Sequence, residues 1–268
     1  MRHSSLIVSS ALASVLALQP VAGNAASELR VGYSSDIVTL DPANHRSRVT
    51  ESVVHNMYDA LITRTDDMKV VPEIAESFAQ IDATTYEAKI RKGIKFHDGS
   101  EMTAEDVKFT FDRLTKENAM GGKTSPRKSL VGPVAETVVV DPLTVRFKLS
   151  SPWPIFAAYV PFNQIVSKAY TEKVGNDGMA TKAMGSGPFK LVEWRQGDAL
   201  ILERFVDYYG GATDIPPVGP AKVDRVVFKI IPEPATRVAA LLAGEVDLID
   251  ELPPHAIKQI EANPRTQV

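Results

Sequence analysis

The chain of 268 residues sets 30 Lys and Arg against 33 Asp and Glu, a net charge of −3, and is 44% apolar, enough for one large domain or two smaller ones with real cores. That near balance gives no support to nucleic acid or an anionic membrane as a partner. With no cysteine in the chain, disulfides, thiolate metal sites, a cysteine nucleophile and a lipidated cysteine anchor are excluded.

Met1-Arg2-His3, the mainly apolar run from Leu6 to Leu18 and the small residues Ala22 to Ala26 stand in the order of a signal peptide covering residues 1–26. Ser9, Ser10 and Ser14 interrupt that run, which falls short of the roughly 20 apolar residues a spanning helix needs. Export without a cysteine to lipidate points to a soluble periplasmic protein. Leu29 to Tyr33 reads as a first strand, followed by Ser34-Ser35-Asp36 and a turn at Asp41-Pro42. From Thr50 to Thr63, the spacing of Val53, Val54, Met57 and Leu61 predicts one amphipathic helix. The polar sequence at Asp66-Asp67 and Pro72 marks the passage out of this first unit.

From about Lys69 to Met184 the pattern changes to strands with one good helix. Tyr86, Ala88 and Ile90 alternate with charged residues, and Ile94 and Phe96 resume the alternation up to the Asp98-Gly99 turn. Thr103 and Asp106 are spaced for a capping box, and Ala104, Val107, Phe111 and Leu114 share one helical face. Gly121-Gly122-Lys123-Thr124 is not a phosphate-binding loop, because the spacing requires glycine where Glu117 stands and no strand precedes it. The polar stretch 117–129 is expected to be a mobile loop. Val138 to Leu149 forms a hairpin around Asp141-Pro142. After it, Asn163 and Gln164 carry amides suited to a peptide backbone. Gly185-Ser186-Gly187-Pro188 reads as a sharp crossing into the strand Phe189–Trp194, and Gln196-Gly197-Asp198 turns that strand into Leu200–Arg204. Beyond the Pro-rich stretch 215–220, Val226–Ile231, a helix over 235–243 closed by Gly244, and Val246–Ile249 form a strand-helix-strand unit with parallel strands.

Several of these stretches carry a common likeness. Val71-Pro72-Glu73-Ile74-Ala75-Glu76-Ser77 with Lys89 to Gly99, then Gly185 to Phe189, then Val223 to Phe228 with Thr236 to Asp247, resemble the family 5 extracellular solute-binding proteins, the peptide-, opine- and nickel-binding receptors of ABC importers. The resemblance implies a mixed α/β, periplasmic-binding-protein-like type II clamshell. Its first lobe would be formed by residues 27–68 and 185–268, with a small inserted α+β domain over 69–184. Family members are about twice this length, so the second lobe is expected to be missing and the chain to supply half a cleft that binds weakly alone. The ligand implied is a short peptide or related small solute, the partners are inner-membrane ABC permease subunits, and a monomer without cofactor or metal is expected. In the family the loop after the first strand lies beside the ligand. Ser35, Asp36, His45, Arg46 and Arg48 are therefore the expected ligand-facing residues, joined by Asn163 and Gln164. An arginine there can pair a carboxylate in bidentate fashion.

Two other readings compete. An exported chaperone or signalling module could keep this fold without transport. A hydrolase could use His55, His97 or His255 as base with Asp98 or Asp106, but no G-x-S-x-G, H-E-x-x-H or close His/Asp metal spacing accompanies them. His97, beside the turn, is expected to be solvated or to cap the turn.

Overall fold

The computed structural model describes residues 27–215 and 218–268; the expected signal segment 1–26 lies outside them. In chain order the strands and helices are β1 (Glu28–Tyr33), α1 (Arg48–Val54), β2 (Ile62–Arg64), β3 (Val70–Pro72), β4 (Ala75–Asp82), β5 (Thr85–Ile90), α2 (Ala104–Thr115), β6 (Val134–Asp141) and β7 (Thr144–Leu149). They continue with α3 (Phe156–Tyr159), α4 (Lys168–Met179), β8 (Phe189–Arg195), β9 (Ala199–Arg204), β10 (Arg225–Ile230), α5 (Pro234–Ala243), β11 (Leu248–Ile249) and α6 (Ile257–Glu261).

Two sheets organise the chain. The first runs β11-β1-β10-β9-β8, with β1 parallel to both β10 and β11 and the hairpin β8–β9 antiparallel beside them. The second is the antiparallel sheet β4-β5-β7-β6, and β2 and β3 make a short separate ribbon. Alternation placed these strands well: Tyr86, Ala88 and Ile90 of β5 and Val145 and Phe147 of β7 all point into one core. Against it lies α2, whose Ala104, Val107, Phe111 and Leu114 are at most 2% exposed. Phe111 packs on Phe147 at 4.5 Å between ring centroids, and Tyr86 meets Phe156 edge-on at 5.0 Å. The Thr103/Asp106 capping box forms, each side chain accepting from the other residue's backbone. A second core lies between the first sheet and α1, from Val31, Val53, Val54, Met57, Phe189, Leu202 and Phe228.

Four sequence expectations need correction. The helix expected over 50–63 is α1, which stops at Val54 although Met57 and Leu61 are fully buried. The Asn56 side-chain amide donates to the carbonyls of Ser52 and Val53, closing the helix end, and the chain then extends so that Ala60 N meets Glu73. Ile94 and Phe96 are buried but follow the end of β5 at Ile90, so their alternation belongs to an irregular segment. The stretch 117–129 is anchored rather than free: Ser125 and Arg127 are buried, and the Ser125 hydroxyl donates to Ala43 O at 2.6 Å. His97 is not a solvated side chain, because its Nδ1 accepts from Gly185 N at 3.2 Å while its Nε2 lies 3.0 Å from Gly187 O.

That last pair of contacts fixes a tautomer. Nδ1 is the acceptor, so the proton sits on Nε2 and is donated to Gly187, an arrangement only neutral imidazole can make. Burial accordingly pushes the His97 pKa down to about 4. The two glycines serve the same seam by close approach. A Cβ at Gly185 would stand 2.1 Å from Met57 O, and one at Gly187 would stand 2.6 Å from Met57 C. A second buried tie crosses nearby: Arg113 of α2 grips Asp41 with both terminal nitrogens, at 2.6 and 3.2 Å, and also donates to Asn176. Asp41 thus does more than initiate a turn.

Candidate functional site

In open α/β sheets, ligands meet the loops that leave the carboxyl ends of parallel strands. Here those loops follow β1, β10 and β11, and two side chains, Arg237 and Asp250, bind them together. Arg237, on α5 and 2% exposed, donates from Nη1 to Ile231 O at 2.8 Å and Pro232 O at 2.9 Å, and from Nη2 to Glu251 O at 3.3 Å. Its Nε lies 3.6 Å from Asp250 Oδ1. Asp250 in turn accepts from Ser34 N and the Ser34 hydroxyl, both at 2.8 Å. Glu251 takes a left-handed φ of 48°, which turns the chain off the sheet edge. Ser35 is exposed on this edge. Asp36 is already engaged, its two oxygens accepting from Ile37 N, the Trp194 indole and Gly197 N.

A charged network joins the loop before α1 to the inserted sheet's connections. Arg127, 2% exposed, donates from Nη1 to Glu51 and, at 3.2 Å, to His45 Nε2, and from Nη2 to Phe162 O. The Gln164 amide donates to Glu51 Oε1 at 2.6 Å and lies 2.9 Å from His55 Nε2. Burial pushes the Glu51 carboxyl up, but hydrogen bonds from His55, Arg127 and Gln164 with the Arg127 charge outweigh it and hold the pKa at about 2. Burial, and then the Arg127 charge, push His45 down to about 4, so its ring is a neutral acceptor.

The expected site residues therefore divide. His45, Asn163 and Gln164 are at most 3% exposed and turn into the protein, where the Asn163 amide donates to Tyr159 O. Arg46 and Arg48 are exposed; with Ser47, Glu51, Arg127 and Phe162 they border a depression of about 250 Å³. Arg46 rests on Ser129 at 2.9 Å, leaving most of its donors to solvent. Glu51 and Arg127 neutralise each other, so this depression is cationic through Arg46 and Arg48. Arg127, Arg237 and Asp250 were not singled out from the sequence, and nothing in their local patterns marks them. Among the described residues no group of three or more His, Asp or Glu is placed to hold a metal ion, and no helix is long and apolar enough to cross a membrane.

Solved structures share this fold. The periplasmic binding protein DppA of Helicobacter pylori, in complex with the peptide STSA, superimposes with a TM-score of 0.80 at 28% identity, over 88% of this chain and 49% of that one. AgaA of A. tumefaciens R10, in complex with agropinic acid, gives 0.78 at 30% identity, over 88% and 46%. The fold is thus mixed α/β of the type II periplasmic binding-protein kind. The glutathione-binding protein GsiB of Escherichia coli (strain K12) is 29% identical over 256 residues, 94% of this chain and 48% of its own length, and that of Salmonella typhi is 30% identical over 245 residues, 90% of this chain and 45% of its own. Residues 69–268 match the family described as bacterial extracellular solute-binding proteins, family 5 Middle, and the chain belongs to that family. It spans about half the length of the curated relatives it matches.

Proposed function

We propose that the chain is the non-catalytic solute-binding component of an ABC importer, exported to the periplasm, and that it takes a short peptide or related small solute carrying a carboxylate. The observation that carries this is the cationic depression at Arg46 and Arg48, in a family of solute-binding proteins. The relatives lend chemistry to the choice, being bound to a peptide or to agropinic acid or named for glutathione. Residues 27–68 with 185–268 act as one lobe around the first sheet, and 69–184 as the inserted domain around the second. The facing wall of the cleft corresponds to the half of the relatives' length that this chain does not span.

A clamshell receptor gains affinity by closing two walls on its solute. Titrated calorimetrically with glutathione or a tetrapeptide, residues 27–268 alone are expected to show no binding in the micromolar range. Micromolar or tighter binding by this chain alone contradicts the half-cleft reading.

A further inference from the structure

Away from the site just described, two acids meet where they would be least expected. Asp59, 4% exposed, lies between α1 and β2, and its carboxylate Oδ2 is buried with no conventional hydrogen-bond partner. Glu73, just past β3, accepts from Ala60 N at 2.9 Å and so stands one residue's reach from Asp59. Its negative charge and that of Asp59 oppose each other. The hydroxyls of Tyr208 and Tyr209, in the segment after β9, face Asp59, and the Tyr209 hydroxyl is likewise buried without a conventional partner. Two side chains from other elements also bear on the pair: His55, at the end of α1, on Asp59, and the Arg91 guanidinium, after β5, on Glu73. Arg91 spends a donor on Gly211 O at 3.1 Å, in the same segment as the tyrosines. Arg64, near Glu73 on the groove wall, is committed to Ala158 O and the Phe162 ring.

Two largely desolvated carboxyls whose charges repel cannot both ionise cheaply; a proton on the pair removes the repulsion and supplies a donor. Tyr208, Gly210 and Gly211 form one wall of a groove of about 700 Å³ over the first sheet, opposite Tyr33, Phe189 and Phe228, and Glu73 lines the same groove. Gly210 and Gly211 both take left-handed φ angles, of 105° and 70°, and a Cβ at Gly211 would stand 2.6 Å from the Tyr208 hydroxyl. The segment is thus a tight strap closed over the acids.

We propose that Asp59 and Glu73 form a proton-binding pair that fastens the strap Phe205–Ala212 to the corner between α1 and β2, and that losing the proton loosens the strap and widens the groove. Burial is the main reason both carboxyls are pushed up, Asp59 to about 7 and Glu73 well above its ordinary range. Raised carboxyl pKa values mean that the folded chain binds more protons than the unfolded one, so the pair's contribution falls as pH rises from about 4 through about 7. His45 and His97 titrate in the opposite sense over part of that window, so the test reads differences between variants.

Asp59→Asn, Glu73→Gln and the double variant are compared with the wild-type chain in denaturant unfolding at pH 5 to 8. The expected result is that the double variant gains stability relative to wild type as pH rises, with each single variant between them. Parallel curves across the range overturn the proposal. Hydrogen exchange in the wild-type chain supplies a second reading that needs no variant. Corrected for intrinsic rates, amides of 205–212 should exchange up to about tenfold faster per pH unit near neutrality, the factor for one proton, while those of β5 do not. A strap whose corrected exchange is independent of pH overturns it equally.

Discussion

His97, His45 and Glu51 all work in protonation states that the folded chain imposes. For His97 and His45 the folded pKa is about 4 against an ordinary value of 6.5. The unfolded chain therefore binds more protons between those values, and the stability these rings confer is lost as pH falls from about 6.5 through 4. For Glu51, held at about 2 against an ordinary 4.5, stability is present above 4.5 and lost as pH falls through 2. Replacing His97 with Gln should remove one proton's worth of this acid sensitivity, seen as a shallower fall of the urea midpoint between pH 6.5 and 4; an unchanged slope would mean that His97 is solvated after all. Arg127 is a stronger test of the network. Arg127→Met leaves Glu51 half-buried without its cation and should cost about 3 kcal/mol in denaturant unfolding, whereas Arg46→Gln, on an exposed side chain, should be close to neutral.

At the scale of elements, the seam between the two sheets depends on missing side chains as much as on those present. Gly185→Ala would drive a methyl into the Met57 carbonyl, 2.1 Å away, and is expected to destabilise by about 3 kcal/mol, since the obstacle is backbone and cannot rotate aside. Normal stability in that variant would show that the crossing is looser than described. This contact also explains where the sequence was readable and where it was not. Hairpin β6–β7, β5 and α2 were legible because alternation or helical spacing there coincides with burial on one face. Met57 and Leu61 kept helical spacing and are buried, yet the chain had left the helix, because apolar spacing records burial rather than conformation. The candidate site divides in the same way. Arg46 and Arg48 were expected from the family resemblance, and they border an exposed depression. The groups that shape the site, Arg127 on His45 and Asp250 on Ser34, meet across 82 and 216 residues of chain, a separation no local pattern records.

On the scale of the whole molecule, the two sheets are joined by polar ties: Arg113 to Asp41, His97 to Gly185 and Gly187, and Arg127 to Glu51 and Phe162. Each needs both sheets' connections in place, so the surface that carries Arg46 and Arg48 is held by both, while Arg237 and Asp250 hold the loop edge. The central claim is that this surface is the solute-facing wall. It is tested most directly by amide chemical-shift mapping of the folded chain titrated with glutathione at millimolar concentration, where even weak contact registers. The account predicts shifts confined to residues 34–36, 46–48, 127–130 and 250–251, reduced when Arg46 and Arg48 are both replaced by Gln. Shifts centred instead on the groove beneath Tyr208, or none at any concentration with glutathione and with a tetrapeptide, would contradict it.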